Sequence, residues 1–377
     1  MPDASASPSW PRLFGGMESA PTIAARMAGK DARSNAFDTI RLFAALTVIV
    51  SHAFLLTSGT YQAEPVFWAS GGQTKMGSLA VGVFFMISGL FISASFDRSP
   101  TIGTFVYKRA LRIMPALVVV TILLALVVGP AITTVPLADY FADAQTWTYF
   151  RNIAFLPMAV ELPGVFKTHT LSTVNESIWT LKFEVACYAI AAIVLAIGRS
   201  TRTIVWTGWI ASFFIVRYWP NANGVSGAEY YIVAIARMFR YFGAGMLIYL
   251  YRDRIVLHAG LAWLLAALTV ASVKTPWFIE LSAVFGAYPV IAFGYLAPRW
   301  FRDLTSRGDV SYGVYIYGWP VQQMLWTIGA GLSLHWLINA ALALPIAYAL
   351  GWASWLLVEK PAMRAKPQLR RSQPAAA

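Results

Sequence analysis

Residues 37–54 read FDTIRLFAALTVIVSHAF. An apolar helix of this length suits a membrane span, and three polar groups on it set the problem. Asp38 and Arg41 are one turn apart and share a face. His52 follows Arg41 by eleven residues, about 16 Å along a helix axis. In a bilayer whose apolar core is about 30 Å thick, an arginine at one edge puts that imidazole near mid-depth. A titratable base there, with a guanidinium beneath it on the same helix, is not what an inert anchor needs.

The rest of the chain repeats the pattern. Of 377 residues, 58% are hydrophobic and only 12% charged, with a mean hydropathy of +0.59. This composition excludes a soluble domain and points to an all-α membrane protein. Charge-poor apolar runs place about ten transmembrane helices at 37–57, 78–96, 113–133, 178–198, 203–219, 230–250, 257–273, 276–297, 310–330 and 336–358. Each approaches the length needed to cross a bilayer, 203–219 being the shortest. Ten spans bring both termini to one side.

The net charge of +12 would suggest nucleic acid in a soluble protein. Here the distribution of the 29 Lys and Arg explains it. Twenty lie on the N-terminal side of the expected membrane, five on the other and four within spans. By the positive-inside rule the arrangement is N-in and C-in, with no nucleic-acid partner. Residues 1–34 read as a disordered cytoplasmic tail, 35–361 as the transmembrane domain and 362–377 as a basic cytoplasmic tail. The longest connection, 134–177, falls outside, and its piece Trp147 to Leu156 is apolar enough to re-enter the membrane. One cysteine, Cys187, and four scattered histidines (His52, His169, His258, His335) give no metal-ligand spacing, so no metal is expected.

Five places carry polar groups that need a reason. His52 is a hydrogen-bonding group between helices or, with an imidazole pKa near 6.5, a general base. Lys108, Arg109 and Arg112 in FVYKRALRIMP (105–115) are membrane anchors or a forked site for phosphate or carboxylate. In VNESIWTLKFEVACY (174–188), Asn175 and Glu176 suit a helix cap and Trp179 an interface. Glu184 lies deeper and must pair or line water. Ser88-Gly89 interrupts VGVFFMISGLFIS (81–93) and is read as close helix packing. Arg237 and Arg240 share a face and either reach the outer surface or meet an anionic acceptor or Glu184.

Taken in order, LFAALTVIVSHAF, GVFFMISGLFIS, YKRALRIMP, SIWTLKFEVACY, DVSYGVYIYGWPVQQ (309–323) and VEKP (358–361) give the chain a family look. From about 35 to 361 it resembles the integral-membrane acyltransferase-3 family, bacterial enzymes that O-acylate carbohydrates. The resemblance implies that Arg41 and His52 are needed for activity and that Arg109 and Arg112 meet the acyl donor. Its W-[ST]-L-x-x-E element falls on Trp179 and Glu184, and S-Y-x-x-Y on Ser311, Tyr312 and Tyr315. Many relatives carry histidine where Gly318 stands, which leaves His52 the one good base here.

The implied enzyme is an O-acetyltransferase of the bacterial cytoplasmic (inner) membrane, with acetyl-CoA as donor and a carbohydrate or glycolipid hydroxyl as acceptor. His52 and Glu184 are its expected catalytic residues, with Glu184 the partner of His52 or of the sugar. Arg41, Arg109 and Arg112 are expected to bind the acyl-CoA. Asp38, Trp179, Arg237, Arg240 and Tyr315 are assigned to substrate. The rival from another class is a glycan or small-anion transporter. Transporters often show repeated halves, and no such repeat is visible.

Overall fold

The computed structural model describes residues 20–29, 34–155, 157–219, 227–329 and 335–365. It is all-α, 76% helical, with no β-strand among the described residues. The ten main helices are α1 (Phe37–Ser58), α2 (Met76–Asp97), α3 (Ile102–Leu123), α4 (Trp179–Ala196), α5 (Thr201–Tyr218), α6 (Gly227–Leu250), α7 (Ala259–Ala271), α8 (Phe278–Leu296), α9 (Ser311–Ile328) and α10 (Trp336–Ser354). Nine fall on their expected segments, whereas α3 begins at Ile102, eleven residues ahead of the expected 113, so Arg109 and Arg112 lie inside the helix. Seven helical runs among the described residues are long and apolar enough to cross a membrane: those of α1, α2, α3, α4, α6, α8 and α10. The α7 helix is shorter, thirteen residues extended by a 3-10 turn. The polar residues of α5 and α9 lower their hydropathy.

Local chemistry explains where several helices end or bend. Gly59 stops α1 in the left-handed conformation, φ +73°, with its N–H on the Leu55 carbonyl. The α3 run continues through a π-turn at Leu124–Val128 to Ile132. Widening by one residue would pair the Ala125 carbonyl with position 130, a proline without an N–H. The Tyr140 hydroxyl donates to that carbonyl instead, at 2.7 Å. Pro320 creates the same vacancy inside α9, four residues after Ile316. The Asn175 side-chain amide fills it, donating to the Ile316 carbonyl at 2.9 Å. Asn175 also accepts the Ser177 N–H in the turn ahead of α4, whose N-cap Ile178 receives no side-chain capping bond, so the expected helix cap does not form.

The α2 and α6 helices cross through Gly89 and Gly245. A Cβ at Gly89 would stand 2.0 Å from the Phe242 carbonyl oxygen, and one at Gly245 would stand 2.0 Å from that of Met86. Close packing is therefore the role of Gly89, as its sequence context suggested.

One further expectation changes. Within the segment expected to be a disordered tail, residues 23–28 form a helix with Ile23 fully buried, docked through backbone bonds to Arg252 and Ile255. An isoleucine gains by burial wherever a groove accepts it. The other residues of that segment, and 366–377 of the basic tail, lie mostly outside the described residues. The 134–177 connection is built of short helices at Leu137–Ala142, Ala144–Thr148 and Tyr149–Ala154, none long enough to cross a bilayer.

Candidate active site

Where α1 and α3 begin and α2 and α10 end, the bundle opens into a cavity of about 520 Å³. Asp38 and Arg41 of α1, Arg109 and Arg112 of α3, and Glu184 of α4 line it, as does Tyr315 of α9. The three-residue spacing in α3 turns both arginines to one side. Asp309 sits just ahead of α9 and accepts the Ser311 N–H, the ordinary place for a carboxylate at a helix start.

The ionic contacts are unequal. Arg112 pairs with Asp309 and lies 3.6 Å from Glu359, a carboxylate only 1% exposed that also accepts the Ser354 hydroxyl at 3.0 Å. Arg41 is 3.4 Å from Asp38 and 4.0 Å from Asp309, with Phe91 beneath its guanidinium at 5.6 Å. Burial would raise the Asp309 pKa, but the positive charges of Arg112 and Arg41 outweigh it and hold that carboxyl below the usual carboxylate range. Arg109 lines the cavity with a buried Nε that has no hydrogen-bond partner. Glu184 accepts from Ser88 at 3.3 Å and from Tyr188. The Tyr315 hydroxyl shares a 2.8 Å hydrogen bond with Thr180 at the deep end of the cavity.

His52 does not line this cavity. Its ring meets the Trp319 edge with centroids 4.9 Å apart, and its Nδ1 is buried without a hydrogen-bond partner. Trp319 stands one helical turn beyond Tyr315 on α9, about 6 Å along the axis. The expected partnership of Glu184 with His52 is absent, because Glu184 is engaged with Ser88 and Tyr188 in the cavity. Nor does a side chain fit at Gly318: a Cβ there would come to 2.6 Å from Ile49 Cγ1. The histidine expected in relatives has its space filled by Ile49 here.

Around His52 the polar groups belong to the other end of the bundle. Glu64 is fully buried and accepts the Ser51 hydroxyl at 3.1 Å, the Phe67 N–H at 2.7 Å and the Met76 N–H. It thereby ties the start of α2 to the turn of α1 that bears His52. Neighbouring Lys75 lies over the Tyr61 ring at 3.8 Å. Burial lowers the Lys75 pKa and raises that of Glu176, each opposed by the other's charge.

The remaining expected site residues are elsewhere. Trp179 packs edge-on against Phe183 with centroids 5.7 Å apart. Arg237 is half-buried on α6. Arg240 is buried and lies 3.9 Å from Glu280 of α8, so its carboxylate is neither a free anion nor Glu184. Asp309, Glu359 and Glu64 were not singled out beforehand. Asp309 and Glu64 each lie just ahead of a helix, where a carboxylate ordinarily caps, whereas Glu359 sits inside the helical run Trp336–Arg364, and only the partners brought by folding reveal their roles. No group of three or more His, Cys, Asp or Glu among the described residues is placed to hold a metal.

Comparison with known families gives the setting. A family model described as Acyltransferase domain matches residues 34–356. The chain belongs to the acyltransferase-3 family. An O-acetyl transferase of Shigella phage Sf6 is 29% identical over 349 residues, covering 89% of this chain and 98% of that protein. Nodulation protein 10 of Rhizobium leguminosarum bv. viciae is 28% identical over 376 residues, covering 89% and 95%. No solved structure matches. This acyltransferase-3 chain is thus an acyl-transferring enzyme integral to a membrane, and the arginine-lined cavity is the natural place to look for its chemistry.

Proposed function

We propose that the protein is an O-acetyltransferase that moves an acetyl group from acetyl-CoA to a hydroxyl of a carbohydrate or glycolipid. It works from ten spans of the bacterial cytoplasmic membrane with both termini inside. One observation carries the reading: Arg41, Arg109 and Arg112 converge on one cavity whose deep end, at Tyr315, is one helical turn from the tryptophan that touches His52. The positive-inside distribution makes the cavity mouth cytoplasmic, where the anionic coenzyme is found. Guanidinium groups there suit its phosphates.

In this scheme the acyl arm of the donor passes Thr180 and Tyr315 toward His52. The acceptor enters from the opposite end, past Lys75, Tyr61 and Glu176, with Trp179 and Arg237 near its path. His52 takes the hydroxyl proton as the oxygen attacks the acyl carbon. The C–O bond forms, the C–S bond breaks and the coenzyme leaves as thiolate, which the imidazolium can protonate. Asp38 and Glu184 belong to the donor side. Arg240, paired with Glu280, is assigned to the fold.

Labelled acetyl-CoA and membrane vesicles bearing the protein test this. His52→Ala should abolish transfer while the purified variant melts like wild type and is still stabilised by coenzyme A. Near-wild-type transfer by that variant would refute the base assignment.

A further inference from the structure

We infer that the two arginines of α3 divide their labour: Arg112 is a strut held by Asp309 and Glu359, and Arg109 is the cation offered to the donor. Asp309 and Glu359 are then positioning residues. The inference rests on the donor reading above.

The contacts separate the two guanidinium groups. Arg112 already has Asp309 on one side and Glu359 on the other, and Glu359 is itself held by Ser354. A phosphate binding to Arg112 would have to displace a carboxylate that is 1% exposed, leaving a buried charge without its partner. Arg109 faces the same cavity with its Nε unpartnered, and it makes no ion pair among the described residues. An anion reaching Arg109 satisfies a buried donor and displaces nothing. The three-residue spacing makes the strut useful, because fixing Arg112 fixes the face of α3 that carries Arg109.

Asp309 is the hinge of the arrangement. It touches Arg112, lies 4.0 Å from Arg41 and is anchored by the first turn of α9. Its charge offsets the cavity's positive field while its geometry organises the same arginines. Removing the charge alone therefore has opposite effects on binding and on turnover. Asp309→Asn should tighten coenzyme A binding, by about threefold or more at low ionic strength, because one negative charge beside the phosphates is gone. Its kcat should fall, since Arg112 and Arg41 are no longer held. A role in folding alone would lower the melting temperature and turnover without tightening the coenzyme.

The test is microcalorimetric titration of the purified full-length protein with coenzyme A, alongside acetyl-transfer kinetics. Arg109→Ala should weaken coenzyme A by about tenfold or more, the loss of a charge-assisted contact. Arg112→Ala risks misfolding, so the charge-conserving pair Arg112→Gln with Glu359→Gln replaces it. That pair keeps the net charge and loses the strut alone, so it should weaken coenzyme A by clearly less than Arg109→Ala does. A loss in the pair as large as that in Arg109→Ala would make Arg112 a donor ligand and overturn the division. Weaker binding in Asp309→Asn would overturn the role of Asp309. A wild-type protein that binds no coenzyme A would remove the donor reading itself, and that result is read before any variant is made.

Discussion

Substituting Gly89 by alanine tests the helix crossing on which the cavity depends. The new Cβ would stand 2.0 Å from the Phe242 carbonyl oxygen, whereas ordinary contact begins at 3.4 Å, so α2 and α6 must part by about 1.4 Å. The obstacle is backbone, which has no alternative rotamer to adopt. Overpacked sites of this kind cost about 1–3 kcal/mol, and a backbone clash belongs near the top of that range. Cys187 is the sole cysteine and is buried, so a thiol-reactive fluorophore reads unfolding directly. Gly89→Ala should melt several degrees lower than wild type. It should also lose activity, because the adjacent Ser88 holds Glu184 in the cavity. Gly245→Ala meets the Met86 carbonyl at the same 2.0 Å. Once the helices have parted for one methyl group the second is partly accommodated. The double variant should therefore fall short of the summed single effects by about 1 kcal/mol or more. Gly103→Ala, whose Cβ would meet nothing nearer than 3.8 Å, is the control and should be neutral or slightly stabilising. If Gly89→Ala melted with Gly103→Ala, or if the two crossing variants added fully, the close crossing would not be what holds this pair of helices.

Glu64→Gln keeps shape but weakens three hydrogen bonds to a buried carboxylate, each worth about 1.5–3 kcal/mol when charge-assisted. Both stability and transfer activity should drop, the latter because the turn bearing His52 loses its tie to α2; normal activity with intact folding would show that tie to be dispensable. Hydrogen bonds from Lys167 and Ser172 hold the Glu161 pKa below its usual 4.5. Its stabilising effect is then full above pH of about 4.5 and fades as pH falls through the lowered value. Hydrogen-exchange protection factors of 159–174, corrected for the intrinsic pH dependence of exchange, should fall on acidification in the wild type and lose that dependence in Glu161→Gln.

Much of this arrangement was legible in the sequence, and the omissions have a common cause. Helices end where charge and glycine interrupt apolar runs, which is why Gly59 and the Asp97-Arg98 pair mark boundaries. Three-residue spacing put Arg109 and Arg112 on one face, as found. The spacing of His52 from Arg41, eleven residues, returns the helix to within about 20° of the same face. It could not show that Ile49, Trp319 and Tyr315 fill the layer between, because those groups come from packing in three dimensions. Arg240 makes the same point: its carboxylate is Glu280, forty residues away and on another helix. Asp309 was hidden by a different ambiguity. A carboxylate beside a helix end looks like a cap in any sequence, and here Asp309 accepts the Ser311 N–H ahead of α9 and also pairs with Arg112.

Stitching of the 134–177 connection to α9 has a consequence for engineering. Asn175 closes the gap left by Pro320, the Trp319 indole donates to the Thr173 carbonyl, and Gln323 donates to Leu171 and Thr173 while bonding His169. Residues 169–175 are thus a seam sewn into the helix that carries Tyr315. Exchanges in this connection belong upstream, in 141–159, where a graft can change shape and leave both the seam and the Tyr140 hydroxyl in place.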